Sequence, residues 1–267
     1  MVKSEKILSE IEQNYIEKLV NKGNRIDERS LDEFREITIK TNTIEKANGS
    51  ADVILGNTRV LAGIKMEMGT PYPDMPDEGV VTVSAELAPI ASPFFESGPP
   101  TEVGIELARV VDRGVRQSHA VDTKKLCIIE GEKVWIVFVD IYALDHDGNL
   151  IDASALAVMA ALMTAKMPKL EIKKDNEIEY LEETIPLPIV DHPIAVTIAK
   201  MNGATIVDPC LKEEFAMTGR ITFTFTQDGN LCALQKGGDG TFKLPEVLSA
   251  FETARKIAPQ LRKFLPE

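Results

Sequence analysis

The chain has 267 residues, 44% apolar and 27% charged, which is ordinary globular material and long enough for one or two domains with a real core. Thirty lysines and arginines against 42 aspartates and glutamates leave a formal charge of −12. That balance argues against a free-standing nucleic-acid binder, since a polyanion meets net repulsion except at a local basic patch, and the apolar content excludes a disordered chain.

Three cysteines, Cys127, Cys210 and Cys232, are odd in number and lie in apolar runs, as buried thiols of a reducing compartment do. The N-terminus, MVKSEKILSEIEQ, has no apolar core of signal-peptide length and no run reaches membrane-spanning length, so a cytoplasmic protein without membrane contact is expected.

Ser4 to Lys22 places Ile7, Leu8, Ile11, Tyr15, Ile16, Leu19 and Val20 at helical spacing, and Gly23 follows where a C′ glycine would sit. This amphipathic helix is read as packed on its own domain, with docking to a partner as the less favoured reading. Arg25 to Ser30 is a charged turn; Ile37 to Thr41 and Ala51 to Ile64 alternate as strands around a Gly56-Asn57-Thr58 turn. The proline-bearing stretches Gly69 to Gly79 and Pro89 to Pro100 read as loops on either side of a strand at Val80 to Leu87.

Thr101 can cap a helix from Glu102 to Ser118. Val103, Leu107, Val110, Val111 and Val115 fall in one arc of it, and Arg109, Arg113 and Arg116 fall together on roughly the opposite side. Two readings stand: a solvated face with Glu106 and Asp112 as ion-pair partners, or a row of phosphate clamps built from forked, permanently charged guanidinium groups.

Leu126 to Ile129, a Gly131-Glu132 turn and Val134 to Leu144 form the next hairpin. Its second strand is rich in β-branched and aromatic residues and nearly free of charge, which predicts a central strand packed on both faces. The polar turn Asp145-His146-Asp147-Gly148-Asn149 leads, with Asp152 or Ser154 as cap, into a helix from Ala153 to Ala165 that is apolar all round and therefore buried. Lys169 to Glu183 is charged and irregular, turning at Asp175-Asn176, and Pro186, Pro188 and Pro193 mark a boundary.

Beyond it the pattern is Ile194 to Ala199, Thr205 to Val207, an Asp208-Pro209 break, strands at Arg220 to Thr226 and Leu231 to Gln235, a Gly237 to Gly240 loop and a helix from about Pro245. The division expected is an N-terminal helix within 1–23, one lobe over 24–188 and a second over 189–267, in an α+β chain.

No phosphate loop, dinucleotide fingerprint, zinc-protease helix, nucleophile elbow or Cys pair is present, and His119, His146 and His192 lack metal-ligand spacing. Asp140, Asp145, Asp147 and Asp152 with His146 could offer oxygen ligands to Mg²⁺, although a plain turn is favoured. Asp208 and Glu214 are acids available for general acid–base work, with an acidic turn as the commoner reading.

In this order and spacing, R-I-D-E-R at Arg25 to Arg29, N-G-S-A-D-V at Asn48 to Val53, G-N-T-R-V at Gly56 to Val60, the arginine helix, the D-G turn with its A-L-A-V-M-A-A-L helix, and V-D-P-x-x-x-E-E at Val207 to Glu214 resemble the RNase PH family. The first helix and the last motif look most like the non-catalytic RNase PH-type subunits of archaeal exosomes. The resemblance implies an α+β, RNase PH-like (ribosomal protein S5 domain 2-like) fold, with two lobes of mixed β-sheet around a buried central helix.

Catalytic members carry a Gly-Gly-Ser/Thr-Arg loop whose backbone N–H groups and arginine hold the attacking phosphate. Here Asp145 to Asn149 stands in that place with no arginine and two further carboxylates, so an anion should be repelled. Asp208 matches the first of the family's catalytic aspartates, Glu214 stands where the second would be, and both are expected to be remnants. Glu28 replaces the glycine of the family's R-x-D-G-R element.

By the same resemblance Arg109, Arg113 and Arg116 would line a groove for single-stranded RNA in a hetero-hexamer, a trimer of heterodimers with a homologous catalytic subunit, topped by RNA-binding cap subunits and needing no metal or cofactor. The alternatives are a self-sufficient phosphorolytic or metal-dependent exoribonuclease, and a pure scaffold without RNA contact.

Overall fold

Helix α3 (Leu150–Thr164) runs through the centre of the computed structural model, which describes residues 9–173 and 177–266. Leu150 to Ser154 and Leu156 to Leu162 are all buried, because a six-stranded sheet lies against one side and a four-stranded sheet against the other. Small residues at Ala153, Ala157, Ala160 and Ala161 let both sheets approach closely.

The larger sheet contains β1 (Ile37–Thr41), β2 (Gly49–Leu55), β3 (Thr58–Gly69), β4 (Val80–Leu87), β5 (Cys127–Ile129) and β6 (Lys133–Asp145). Its order is β1-β2-β3-β6-β4, with β5 also on β6; only the β4–β6 pair is parallel. The smaller sheet has the order β10-β9-β11-β12, all antiparallel, from β9 (Ile194–Met201), β10 (Ala204–Val207), β11 (Gly219–Phe225) and β12 (Leu231–Gly237).

Helix α2 (Glu102–Gln117) lies beside α3, touching β4 and β12, and α5 (Leu244–Arg262) covers β9 and β11 on the outer side. Helix α1 (Glu10–Asn21) packs Ile16 and Val20 against β9, β10 and the short α4 (Leu211–Ala216). No helix of the described residues is long and apolar enough to cross a membrane.

Several expectations need correction. Helix α1 begins at Glu10, capped by Ser9; Ser4 to Leu8 lie outside the described residues, and Ile11, 82% exposed, faces away from the core. Strand β6 is packed on one face: Val137, Val139, Ile141 and Ala143 are buried, while Ile136, Phe138, Asp140 and Tyr142 point to the open side of the sheet. The apolar run mimics a two-sided strand because its outward residues shield one another on the pleated surface.

Lys169 to Glu183 is read as irregular, but its described residues belong to an antiparallel ribbon of β7 (Lys166–Ile172) and β8 (Ile178–Pro186), whose charges pair across it as Lys169–Glu183 and Lys173–Glu179. The expected Asp175-Asn176 turn lies outside the described residues. Helix α3 starts three residues earlier than expected, after Asn149 in the left-handed region, and neither Asp152 nor Ser154 caps it.

Val103 is exposed, since Gly104 makes the first-turn contact of α2 with Ala85 and Leu87 on β4. All three cysteines are free thiols, but only Cys210 is buried.

Candidate functional site

The turn after β6 is pressed against the segment leading into α4. The Leu211 N–H donates to the Asp147 carbonyl at 3.0 Å. A Cβ on Gly148 would lie 2.5 Å from the Pro209 carbonyl oxygen, and its φ of +88° is one that L side chains rarely adopt, so glycine is required twice over.

Every N–H of the loop's last three residues already has an acceptor inside the chain. Asp147 N–H donates to Thr58 Oγ1 at 3.0 Å, Gly148 N–H to His146 Nδ1 at 3.3 Å, and Asn149 N–H to Glu214 Oε1 at 2.8 Å. The Asn149 side-chain amide donates to Asp208 Oδ1 at 2.8 Å and to Asp152 Oδ2 at 2.9 Å. Asp208 and Glu214 therefore do meet the loop, both through Asn149.

Three arginines complete the junction. The Arg35 guanidinium grips Asp208 with Nε on Oδ2 at 2.9 Å and Nη2 on Oδ1 at 2.7 Å, its own N–H adds a third bond at 2.8 Å, and Nη1 donates to the Asp147 carbonyl at 2.6 Å. Arg29 Nη1 reaches Asp208 Oδ2 at 3.0 Å. Arg25 grips the buried Glu213 with Nε and Nη2, and both Arg25 and Arg29 donate to the Asp208 carbonyl, at 2.9 and 3.2 Å. Those bonds hold Asp208 at a φ of +44°.

Burial opposes ionisation of Asp208, but the hydrogen bonds and charge of Arg35, with help from Asn149, outweigh it and hold its pKa below the ordinary aspartate value. The neighbouring acids go the other way. Burial pushes Asp152 up to about 7, against hydrogen bonds from Asn149 and Thr197, and raises Glu214 against the Asn149 N–H. Burial also lowers His146 to about 4, and its ring stacks on Phe95 with centroids 5.3 Å apart, so it is neutral near pH 7.

The loop itself contains no arginine. Arg35 reaches it from outside, with its charge spent on Asp208 and on the carbonyls of Asp147 and Gly148. Nothing local in sequence marks Arg35, whose partner lies 173 residues away. In the R-I-D-E-R element Arg25 and Arg29 bind Glu213 and Asp208, and Glu28, standing for the family's glycine, has a φ of +66°.

The possible Mg²⁺ cluster is dispersed. Asp140 accepts from Ser84 on the open face of the sheet, Asp152 accepts from Thr197 in the core, and no group of three His, Cys, Asp or Glu residues is arranged to hold a metal among the described residues.

The arginines of α2 are exposed as a row, but they are not equivalent. Arg116 pairs with Asp112 at 3.1 Å. Arg113 Nη1 donates to Gln235 Oε1 on β12 at 2.8 Å. Arg109 has no ion-pair partner among the described residues, because Glu106, expected to pair within the helix, instead meets Arg220 of β11 at 2.8 Å.

Comparison with known proteins finds two family models along the chain: "3' exoribonuclease family, domain 1" over residues 33–168 and "3' exoribonuclease family, domain 2" over residues 191–257. The chain is 54% identical over 262 residues to exosome complex component Rrp42 of Thermococcus gammatolerans, covering 98% of this chain and 96% of the relative. Among solved structures it is similar to a chain of an Archaeoglobus fulgidus exosome with RNA bound to the active site, with a TM-score of 0.88, 48% identity and coverage of 95% of this chain and 97% of that one. It is also similar to a chain of an archaeal exosome core, with a TM-score of 0.85, 45% identity and coverage of 97% and 98%.

Proposed function

The chain belongs to the 3′ exoribonuclease, or RNase PH, family, and from that premise we propose that it is the non-catalytic ring subunit of an archaeal-type exosome in the cytoplasm. It pairs with a homologous catalytic RNase PH-like subunit in a hetero-hexamer, a trimer of heterodimers that also receives RNA-binding cap subunits. Its share of phosphate-dependent 3′→5′ degradation is to shape the partner's site and to hold single-stranded RNA by its backbone. An N-terminal helix within 1–23 and lobes over 24–188 and 189–267 serve that assembly.

One observation carries the non-catalytic reading: the amides of Asp147, Gly148 and Asn149 are all taken by internal acceptors, one of them the Glu214 carboxylate. A free phosphate would have to displace a carboxylate in a loop where the nearest guanidinium is bound to Asp208. Binding there would strip two amides from neutral acceptors, Thr58 Oγ1 and His146 Nδ1, and one from the Glu214 carboxyl, which opposes capture of a hydrated anion. Asp208 and Glu214 thereby become structural acids, with Arg109, Arg113 and Arg116 as the RNA-facing groups. Phosphate contacts of that kind are independent of base sequence and compatible with a chain of charge −12, because the basic surface is needed only along the strand.

The test is phosphate-dependent shortening of a 3′-labelled single-stranded RNA by the chain alone, by the homologous catalytic subunit alone and by the two assembled. The lone chain is expected to be inert and the assembly active. Shortening by the lone chain in phosphate would overturn the proposal, and shortening in Mg²⁺ without phosphate would point to the metal-dependent alternative.

A further inference from the structure

The arginine row of α2 has an acid, Glu106, on the same helix. At 100° per residue Glu106 lies between Arg109 and the valine arc, one turn from Arg109 and on the same face as Arg113. A glutamate three residues before an arginine is well placed to pair with it, which would neutralise one cation of the row. In the structure it does not, and the reason is the four-stranded sheet alongside. Arg220 on β11 takes the Glu106 carboxylate at 2.8 Å, with its side chain 20% exposed.

That guanidinium has a prepared place. A Cβ on Gly237, its cross-strand neighbour on β12, would come 2.9 Å from Arg220 Cζ, so glycine leaves the space that the planar group fills. Two residues before Gly237, the Gln235 amide is fixed at both ends. Its Nε2 donates to the Lys236 carbonyl at 3.2 Å, which leaves Oε1 to accept from Arg113 Nη1 at 2.8 Å. A neutral acceptor orients a guanidinium without cancelling its charge, whereas a carboxylate would do both.

We propose that Arg220 and Gln235 are positioning residues for RNA: Arg220 holds Glu106 away from Arg109, and Gln235 aims Arg113, so that two of the three arginines present undiminished charge to the backbone. Arg116, already paired with Asp112, contributes least. This inference rests on the RNA-facing role assigned above to α2. It names residues outside the arginine row that set how much of that row's charge the strand meets.

The experiment measures binding of a labelled oligoadenylate RNA by the assembled ring as a function of salt. Arg220→Ala is expected to weaken binding by about two- to fivefold, the scale of one exposed ion pair. It should also reduce the slope of log affinity against log salt by about 0.7, one single-strand phosphate contact, because Glu106 then turns to Arg109. Adding Glu106→Gln to Arg220→Ala is expected to restore both. Gln235→Glu should lower affinity and slope as Arg220→Ala does, while Gln235→Ala lowers affinity and keeps the slope.

If the double variant is no better than Arg220→Ala, Arg220 acts by contact or by folding and the inference falls. It falls equally if Gln235→Glu matches wild type. Should Arg109→Glu and Arg113→Glu also leave binding untouched, the RNA-facing role itself has failed; if those two weaken binding, only the positioning role is lost.

Discussion

Arg25, Arg29 and Arg35 at the junction and Arg109, Arg113 and Arg116 on α2 carry the same group, yet their surroundings give it opposite uses. At the junction the guanidinium groups are withdrawn from water and bound to Asp208, Glu213 and backbone carbonyls, where a low effective dielectric makes each pairing strong and its loss costly. On α2 the side chains stay exposed and at most singly engaged, so they contribute little to folding, and the proposed function assigns their charge to a phosphate backbone. What arginine does here is decided by the acids around it, not by its presence in the sequence.

The sharpest way to break that contrast is at the junction. Arg35→Ala leaves Asp208 buried with a single arginine and is expected to cost about 3–5 kcal/mol in urea unfolding, as removal of one partner of a buried ion pair does. A loss below about 1 kcal/mol would mean that water reaches Asp208 and that the junction is not dry.

Gly148→Ala comes next, because the methyl group meets the Pro209 carbonyl and the backbone must hold φ at +88°. A loss of about 1–3 kcal/mol is expected, read as a lowered Tm, and an unchanged Tm would show that the loop and the α4 segment separate without cost.

The pH response sharpens the picture inside the junction. Asp152 has its folded pKa raised from 3.8 to about 7, so the folded chain binds the extra proton and stability falls as pH rises from about 4 to 7. Asp208 is lowered, so its contribution is present above the ordinary aspartate pKa and is lost only as pH falls below it. Asp152→Asn is therefore expected to flatten the dependence of the urea midpoint between pH 5 and 8 while leaving the acid limb in place. An unaltered profile between those values would remove Asp152 from the account.

The smallest effect on folding belongs to α2. Arg113→Glu is expected to change stability by no more than about 0.5 kcal/mol, yet to weaken RNA binding by the assembled ring and reduce its salt slope by about 0.7 or more. Arg116→Glu should do less of both, and equal effects at the two positions would erase the distinction drawn from Asp112 and Gln235.

Much of this architecture was legible because it repeats locally. The 3.6-residue pattern exposed α2 and the all-apolar α3, Thr101 marked the start of α2, and Gly56-Asn57 marked the β2–β3 hairpin. The ordered motifs carried the family and with it the two-sheet fold. The ribbon of β7 and β8 was hidden because its cross-strand ion pairs make a strand look like a charged loop.

The junction was legible only in part. Asp208 and Glu214 could be found by motif, but Arg35 belongs to no period, and its pairing with Asp208 exists only once the two sheets close on α3. The left-handed backbone at Asn149, which aims one N–H at Glu214 and the side-chain amide at two aspartates, likewise has no signature in a five-residue polar turn.

The most direct measurement is a titration of the isolated chain with inorganic phosphate, followed through the backbone amide resonances of Asp147, Gly148 and Asn149. Because all three N–H groups are engaged internally, the expected result is no saturable shift at millimolar phosphate. Saturable movement of these amides together, enhanced in Glu214→Gln and abolished in Arg35→Ala, would show a working phosphate site and contradict the assignment of this chain as the helper of a catalytic partner.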